Sequence, residues 1–392
     1  MKVATVRDIS EQIRGVTYAK SDASAVPKSG YSPMLRANNI GEHGLLLDEL
    51  IYVPNRKISP RQRIVPNDVV VAASSGSISV VGKTAQARQG FDGGFGAFCK
   101  VLRPGPSVDP HYFGHYFKTP SYRRVVSHLA AGANINNLRN EHLDNLRIPL
   151  PPLAEQKRIA RILDAADALR ATRREALAQL ETLIQSAFLD MFGDPVTNPM
   201  GWKVVSVGDE ISFLTSGSRG WAKYYAEDGD TFLRIQNLKD GQLDLGDIAF
   251  VNAPESAEAR RTRVEPRDVL LSITADLGRT AVVPDCITKA HINQHLAILR
   301  FTNLSPVFVS YQLASKGGQA QFDRLNREGV KAGLNFNDVK SIRLTNPPLN
   351  LQHHFAAIAE SVEQHKAAQR AHLTELDALF ASLQSRAFQG DL

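Results

Sequence analysis

This 392-residue chain repeats itself at an interval of about half its length. Ile64-Val-Pro-Asn-Asp-Val-Val-Val-Ala matches Val264-Glu-Pro-Arg-Asp-Val-Leu-Leu-Ser at an offset of 200. Leu35-Arg-Ala-Asn-Asn-Ile matches Leu233-Arg-Ile-Gln-Asn-Leu at 198, and Thr5-Val-Arg-Asp matches Ser206-Val-Gly-Asp at 201. Asn134-Ile-Asn-Asn-Leu matches Asn335-Phe-Asn-Asp-Val at 201, and Pro151-Pro-Leu matches Pro347-Pro-Leu at 196. Chance could produce one such match, but five in the same order require the chain to build one kind of unit twice.

Each half follows the same plan. β-Branched and aromatic runs broken by Gly, Pro, Asn and Asp come first, and they predict short strands joined by turns. A long helical pattern closes each half, from about Leu153 to Phe192 and from about Leu349 to Phe388. Pro149, Pro151 and Pro152 block an earlier start of the first helix, and Gly193-Asp-Pro ends it. Its stripe reads Ile159, Ile162, Ala166, Leu169, Ala176, Leu180, Leu183 and Ala187. The second stripe reads Phe355, Ile358, Val362, Leu373, Leu376, Leu379 and Leu383. Steps of three and four over this length predict a coiled-coil seam. At 1.5 Å per residue each helix reaches ~60 Å, too long to be covered by one small domain. The expected fold is α+β. Two tandem β-rich domains (1–150 and 193–348) are each followed by a long helix (151–192 and 349–392). The helices are expected to pair as an antiparallel coiled coil, giving a dumbbell with pseudo-two-fold symmetry.

Hydrophobic residues make up 43% and charged residues 22%, which excludes disorder as the main state. No apolar run reaches the ~20 residues that span a bilayer. The N-terminus lacks the apolar core of a signal peptide. Two cysteines make neither a disulfide framework nor a zinc grid, and the expected location is the reducing cytoplasm. Net charge is +6, unevenly spread. Residues 1–150 carry +8, 151–192 and 193–348 are balanced, and 349–392 carry −2. A basic domain on an otherwise neutral chain points to a polyanion such as nucleic acid.

Catalytic motifs fail one by one. Gly76-Ser-Ile-Ser-Val-Val-Gly-Lys-Thr has five residues between its glycines where a phosphate loop needs four. Asn346-Pro-Pro-Leu resembles the tetrad of adenine methyltransferases but ends in Leu349, which cannot stack on a flipped base. Phe91-Asp-Gly-Gly-Phe-Gly lacks the phasing of an S-adenosylmethionine loop. Asp285 before Lys289 lacks the second acid of a magnesium nuclease. His111/His115 and His291/His295 have zinc-compatible i, i+4 spacing without the intervening carboxylate of a metalloprotease, and the aromatic run around the first pair reads as packing. No metal and no catalytic residue is therefore expected. A triad assembled in space stays open. What remains is a pair of heads on a rod, the layout of a bipartite reader.

The stretch Leu146-Arg-Ile-Pro-Leu-Pro-Pro-Leu-Ala-Glu-Gln-Lys-Arg-Ile-Ala-Arg-Ile-Leu resembles the conserved region of type I restriction–modification specificity subunits. The degenerate copy Ile342-Arg-Leu-Thr-Asn-Pro-Pro-Leu-Asn-Leu-Gln, Gly201-Trp202 and Val264-Glu-Pro-Arg-Asp-Val-Leu-Leu extend the similarity over essentially the whole chain. The second copy departs where Glu155 becomes Leu351. The resemblance implies a non-catalytic subunit whose two target-recognition domains each read half of a split site in double-stranded DNA. It implies helices that dock two methyltransferase subunits, with restriction or translocase subunits able to join. S-adenosylmethionine, ATP and magnesium would belong to those partners. A specificity subunit of a type II system with a fused cleavage–methylation partner, a non-DNA structural spacer, and an enzyme whose site assembles between the domains are the alternatives.

Base and phosphate contacts come from Arg, Lys, Asn, Gln, Ser and Thr on loops. The candidates in the first domain are Arg36, Asn38, Asn39, Ser75, Ser77, Lys83 and Arg88. In the second they are Arg219, beside Ser218, then Arg234, Gln236, Asn237, Thr274, Arg279 and Lys331. The charged helix edge at Glu155, Gln156, Lys157 and Arg161 is the candidate docking surface, because the apolar stripe, Leu177, Leu180 and Leu183 included, is needed for the seam.

Overall fold

A computed structural model describes residues 2–130, 136–239, 241–326 and 333–392. The chain forms two compact units, Met1–Arg174 with Ala371–Leu392, and Glu175–Arg370. Both long helices, Leu153–Phe192 and Leu349–Gln389, therefore contribute one half to each unit.

The two units share one topology. In the first, a four-stranded antiparallel sheet places Ser10–Arg14, Cys99–Pro104, Asp68–Ala72 and Thr84–Ala87 side by side. In the second, Ile211–Ser216, Leu296–Phe301, Val269–Ser272 and Thr280–Val282 take the same order. A smaller sheet pairs Tyr31–Leu35 antiparallel to Ile51–Pro54 and parallel to Gly94–Phe95. Asp230–Leu233 does the same with Ala249–Val251 and Ala290–Ile292. A two-stranded ladder then sets the opening strand against the segment that enters the long helix, Val3–Thr5 on Arg147–Pro149 and Lys203–Ser206 on Arg343–Asn346.

The repeated motifs have structural causes. Asp68-Val-Val-Val-Ala is buried throughout because both faces of the sheet are covered. Val69 and Val71 face a core shared with helices, while Val70 and Ala72 face a second core. This is the period-two alternation of a strand, and Val269, Leu271 and Leu270 divide in the same way. The preceding Asn67 and Arg267 turn the chain with φ of 72° and 70°. The buried Asp68 carboxylate accepts the Val65 N–H at 2.9 Å and the Arg103 Nε and Nη2 at 2.9 and 2.8 Å. Asp268 repeats this with Glu265 N–H at 2.7 Å and Arg300 at 2.8 and 3.0 Å. Gly15 and Gly217 mark matching close crossings, where a Cβ would overlap the carbonyls of Gly96 and Asn293.

Hydrogen bonding corrects one of the five matches. Leu138 N–H donates to the Ala73 carbonyl as Leu334 N–H donates to that of Ile273, so Asn335 corresponds to Arg139. Asn134 lies outside the described residues.

The long helices begin directly after Pro152 and Pro348 and end before Gly193 and Gly390, both at positive φ. Within each unit they run antiparallel. Arg170 and Arg174 reach Asp377 at 2.6 and 3.1 Å, and Lys366 pairs with Glu181 and, at 2.6 Å, with Glu363. The buried positions differ from the expected seam. Ile159, Leu163 and Ala166 join the first unit's core, where Tyr112, Phe113, Tyr116 and Phe117 pack as the aromatic run suggested. Ile184, Phe188 and Phe192 join the second. Leu169, Leu183 and Leu379 are 55%, 50% and 50% exposed. Each helix end packs into a β-rich domain as well as onto its partner helix, so the buried face does not keep one 3.5-residue phase.

Candidate nucleic-acid interface

One end of each domain is assembled around a tight turn. In the first, Cys99 N–H donates to the Gly96 carbonyl, Gly96 N–H to that of Leu35, and Ala73 and Ser74 N–H to that of Phe98. These bonds bring the Arg36 turn, the loop after Ala72 and the segment after Arg14 together. In the second, Leu296 N–H donates to Asn293, Asn293 to Leu233 and Ile273 to His295. The framework is shared, but the side chains it presents differ. Phe98 is 69% exposed, whereas His295 in its place lies 2.6 Å from the Thr274 hydroxyl and 2.8 Å from Gln294 Nε2.

The proposed contact residues fall into distinct groups. Asn38, Ser77, Arg219, Gln236 and Arg279 are exposed, and Ser75, Lys83 and Thr274 are half-buried. Lys83 and Arg279 correspond, since Ala72 and Ser272 N–H donate to their carbonyls. Gln236 bonds Asp247, and Arg279 pairs with Asp276. Asn39 and Asn237 are each 1% exposed. Asn39 accepts from Arg36 N–H and donates to the carbonyls of Leu46 and Asp48; Asn237 accepts from Arg234 and donates to Asp244 and Asp247. These amides shape the loops and leave no free edge for a base. The Arg36 and Arg234 guanidiniums close the same loops on the Glu49 and Asp247 carbonyls. Arg88 stands apart from Lys83, because the strand Thr84–Ala87 separates them by ~16 Å. Lys331 lies outside the described residues.

Arg88 instead meets Asp164 on the central helix. His111 Nδ1 and His115 Nε2 lie 2.6 and 2.7 Å from the same carboxylate. Burial pushes the Asp164 carboxyl up, but hydrogen bonds from His115, His111 and Arg88 outweigh it and hold it well below the usual range. Burial holds the His115 imidazole below its ordinary value despite Asp164. This cluster fastens helix to domain. His291 sits on a strand and His295 in the turn after it, so their spacing is not helical. Among the described residues no three His, Cys, Asp or Glu side chains form a metal-binding group. Burial pushes the Cys99 thiol up to about 12, which makes it a poor nucleophile.

At the helix start, Gln156 is a staple. Its Oε1 accepts the Asp109 N–H and its Nε2 donates to the Pro151 carbonyl, both at 2.8 Å. Gln352 repeats both bonds with Ser305 and Pro347 at 2.8 Å. Glu155 holds Arg158 on the helix surface, and Arg161 is exposed. Lys157 and Leu153 line a cavity of about 410 Å³ walled by Pro66, Pro104, Pro106 and Pro110.

Sequence reasoning passed over Arg14, Phe98, Lys100 and Arg139 at the loop end of the first domain. Lys100 carried a signal, since its strand reads Cys-Lys-Val-Leu-Arg where the copy reads Leu-Ala-Ile-Leu-Arg. It is buried, and its Nζ donates to the Leu138 carbonyl at 2.6 Å. Burial pulls its ammonium down to about 8, with Arg14 adding to the effect and Asp144 and Glu141 opposing it.

A duplicated β-rich domain with shared helices and a differently furnished loop end on each copy defines a two-headed recognition protein. Comparison with known proteins identifies its kind. Residues 1–182 match the type I restriction modification DNA specificity domain. The StySPI specificity subunit of Salmonella potsdam is 32% identical, over 99% of this chain and 88% of that one. The EcoKI specificity subunit of Escherichia coli is 31% identical, over 100% and 89%. The fold resembles the type I S subunit of M. genitalium, with TM-score 0.59 and 15% identity over 99% of this chain and 96% of that one. The chain belongs to the type I restriction–modification DNA specificity subunits. It is a DNA-recognition subunit and not a catalytic one.

Proposed function

We propose that each domain of this subunit reads one half of a bipartite, asymmetric site in double-stranded DNA, and that the paired helices set the gap between the half-sites. One observation carries this reading. The two copies keep the same Asp–Arg pairs, glutamine staples and Arg–Asn turn, yet the loops braced by that turn present different side chains, Phe98 against His295 and Arg14–Lys100 against Ser216–Ala297. Two heads whose loop ends differ in this way suit a target with two unlike halves.

The helix starts are the proposed docking places for two methyltransferase subunits. The exposed Leu153 and Leu349 support this, as do the surface charges of Glu155, Lys157 and Arg161. Gln156 supports the site from within. S-adenosylmethionine would be carried by those subunits, and ATP and magnesium by restriction subunits that join the complex. None of the described helices is long and apolar enough to cross a membrane, and we place the complex in the cytoplasm with its DNA.

The test is to delete this chain in its host and map genomic adenine methylation. Loss of methylation at a single split motif, with co-purification of a methyltransferase subunit, is the expected result. Unchanged methylation and no complex would overturn it.

A further inference from the structure

The recognition end of the first unit holds a groove of about 470 Å³ lined by Arg14, Lys100, Asn137, Arg139 and Glu141, among others. Arg14 and Lys100 face each other in register on neighbouring strands. An ammonium carries three donors, and protein uses one of those on Lys100, toward the Leu138 carbonyl. No carboxylate pairs with it among the described residues, although Glu141 lines the groove and Asp144 lies near. The Arg14 side chain has no hydrogen-bond or ion-pair partner among the described residues. Arg139 leans on Glu141 at 4.0 Å and on His142 at 3.2 Å. Three cations and one carboxylate thus line the groove, and Lys100, the buried one of the three, has no carboxylate within ion-pair distance among the described residues.

Among the described residues the second domain does not repeat the pair. Its register sets Ser216 opposite Ala297 where the first has Arg14 opposite Lys100, and Asn335 replaces Arg139. The groove therefore accounts for three of the positive charges behind the excess of residues 1–150. A buried cation is costly unless an anion meets it. A phosphate diester offers acceptor oxygens that suit both a guanidinium fork and an ammonium.

We propose that the Arg14–Lys100–Arg139 groove binds a backbone phosphate of duplex DNA and makes the first domain the stronger electrostatic anchor of the two. The proposal rests on the DNA-reading function above. It separates the roles of the heads: the first adds this buried-lysine anchor to its loop contacts, and the second has only its loop contacts for its register.

The experiment is a salt titration of the full chain binding a fluorescein-labelled duplex of random sequence, read by anisotropy. Lys100→Gln keeps a donor for the Leu138 carbonyl and removes the charge. Arg14→Ser installs the residue of the second copy on an exposed position. Arg56→Ser removes the same charge outside the groove. Lys100→Gln and Arg14→Ser should each reduce the slope of log affinity against log salt by about 0.9. Arg56→Ser should leave the slope unchanged, and all three should melt as the parent does. Unchanged slopes for Lys100→Gln and Arg14→Ser would overturn the groove as a phosphate site, as would an equal effect of Arg56→Ser. A parent chain whose duplex binding does not fall with salt would overturn the DNA reading itself.

Discussion

Replacing Gln352 by leucine isolates what the duplicated staple contributes. The buried amide accepts the Ser305 N–H and donates to the Pro347 carbonyl, so leucine leaves both backbone groups buried and unmet. Each costs about 1–3 kcal/mol. The leucine recovers about 1–2 kcal/mol from its own burial. A net loss of about 2–3 kcal/mol follows. At a urea slope of about 2 kcal/mol per molar, the midpoint should fall by about 1 M or more. Both tryptophans, Trp202 and Trp221, lie in the same unit as Gln352, so intrinsic fluorescence follows that unit. Trp202 Nε1 donates to the Phe192 carbonyl and therefore senses the helix end. The neighbouring exposed His353→Leu should shift the midpoint by a few tenths of a molar at most. Gln352→Glu should also destabilise, because a carboxylate can accept from Ser305 but only repels the Pro347 carbonyl. If Gln352→Leu unfolds with the parent's midpoint and slope, the staple is not what fixes the helix start, and the matching role of Gln156 falls with it.

Three further outcomes follow from the same contacts. Asp268→Asn breaks a buried carboxylate–guanidinium pair and should cost about 3–5 kcal/mol, read as a lowered melting temperature. His115 has a lowered folded-state pKa, so the unfolded chain binds its proton first as acid is added. Its stabilisation is full above the unfolded value of about 6.5 and is lost as pH falls through the folded one. Calorimetry between pH 7 and about 5 should show falling stability that His115→Gln, which still donates to Asp164 but cannot titrate, flattens. Arg88→Ala should leave the salt slope of DNA binding unchanged while Lys83→Ala lowers it by about 0.9, since Arg88 is paired with Asp164 away from the loop end.

The duplication, the two helices and the family were legible because they rest on patterns that a linear string preserves. Val-Pro-Asn-Asp and Glu-Pro-Arg-Asp could be aligned before their shared turn was seen. The roles of Asn39, Asn237 and Gln156 were not legible. A polar residue in a motif looks the same whether its amide faces solvent or closes a loop, and only the partners decide. Leu169 and Leu183 were assigned to a seam for a related reason. Helical periodicity shows that a face is apolar but not which neighbour covers it. Here recognition domains cover the ends, and ion pairs such as Arg170–Asp377 join the middle. Lys100 was legible only through its difference from Ala297, which becomes informative once the register of the copies is known.

That register also shows where the copies were free to diverge. Gly82 and Gly278 correspond, because their N–H groups donate to the carbonyls of Ala72 and Ser272. Both hold positive φ against a packed side chain, Val126 in one and Phe322 in the other. The loop from Ala73 to Gly82 is nevertheless four residues longer than that from Ile273 to Gly278. Length and side chains therefore change between fixed backbone anchors, while the staples and Asp–Arg pairs stay unaltered. A loop held at both ends in this way can be rewritten without disturbing the helices, since no bond of the staple passes through it. On the proposed reading, each head could then acquire a new half-site independently, with the gap between half-sites left as it was.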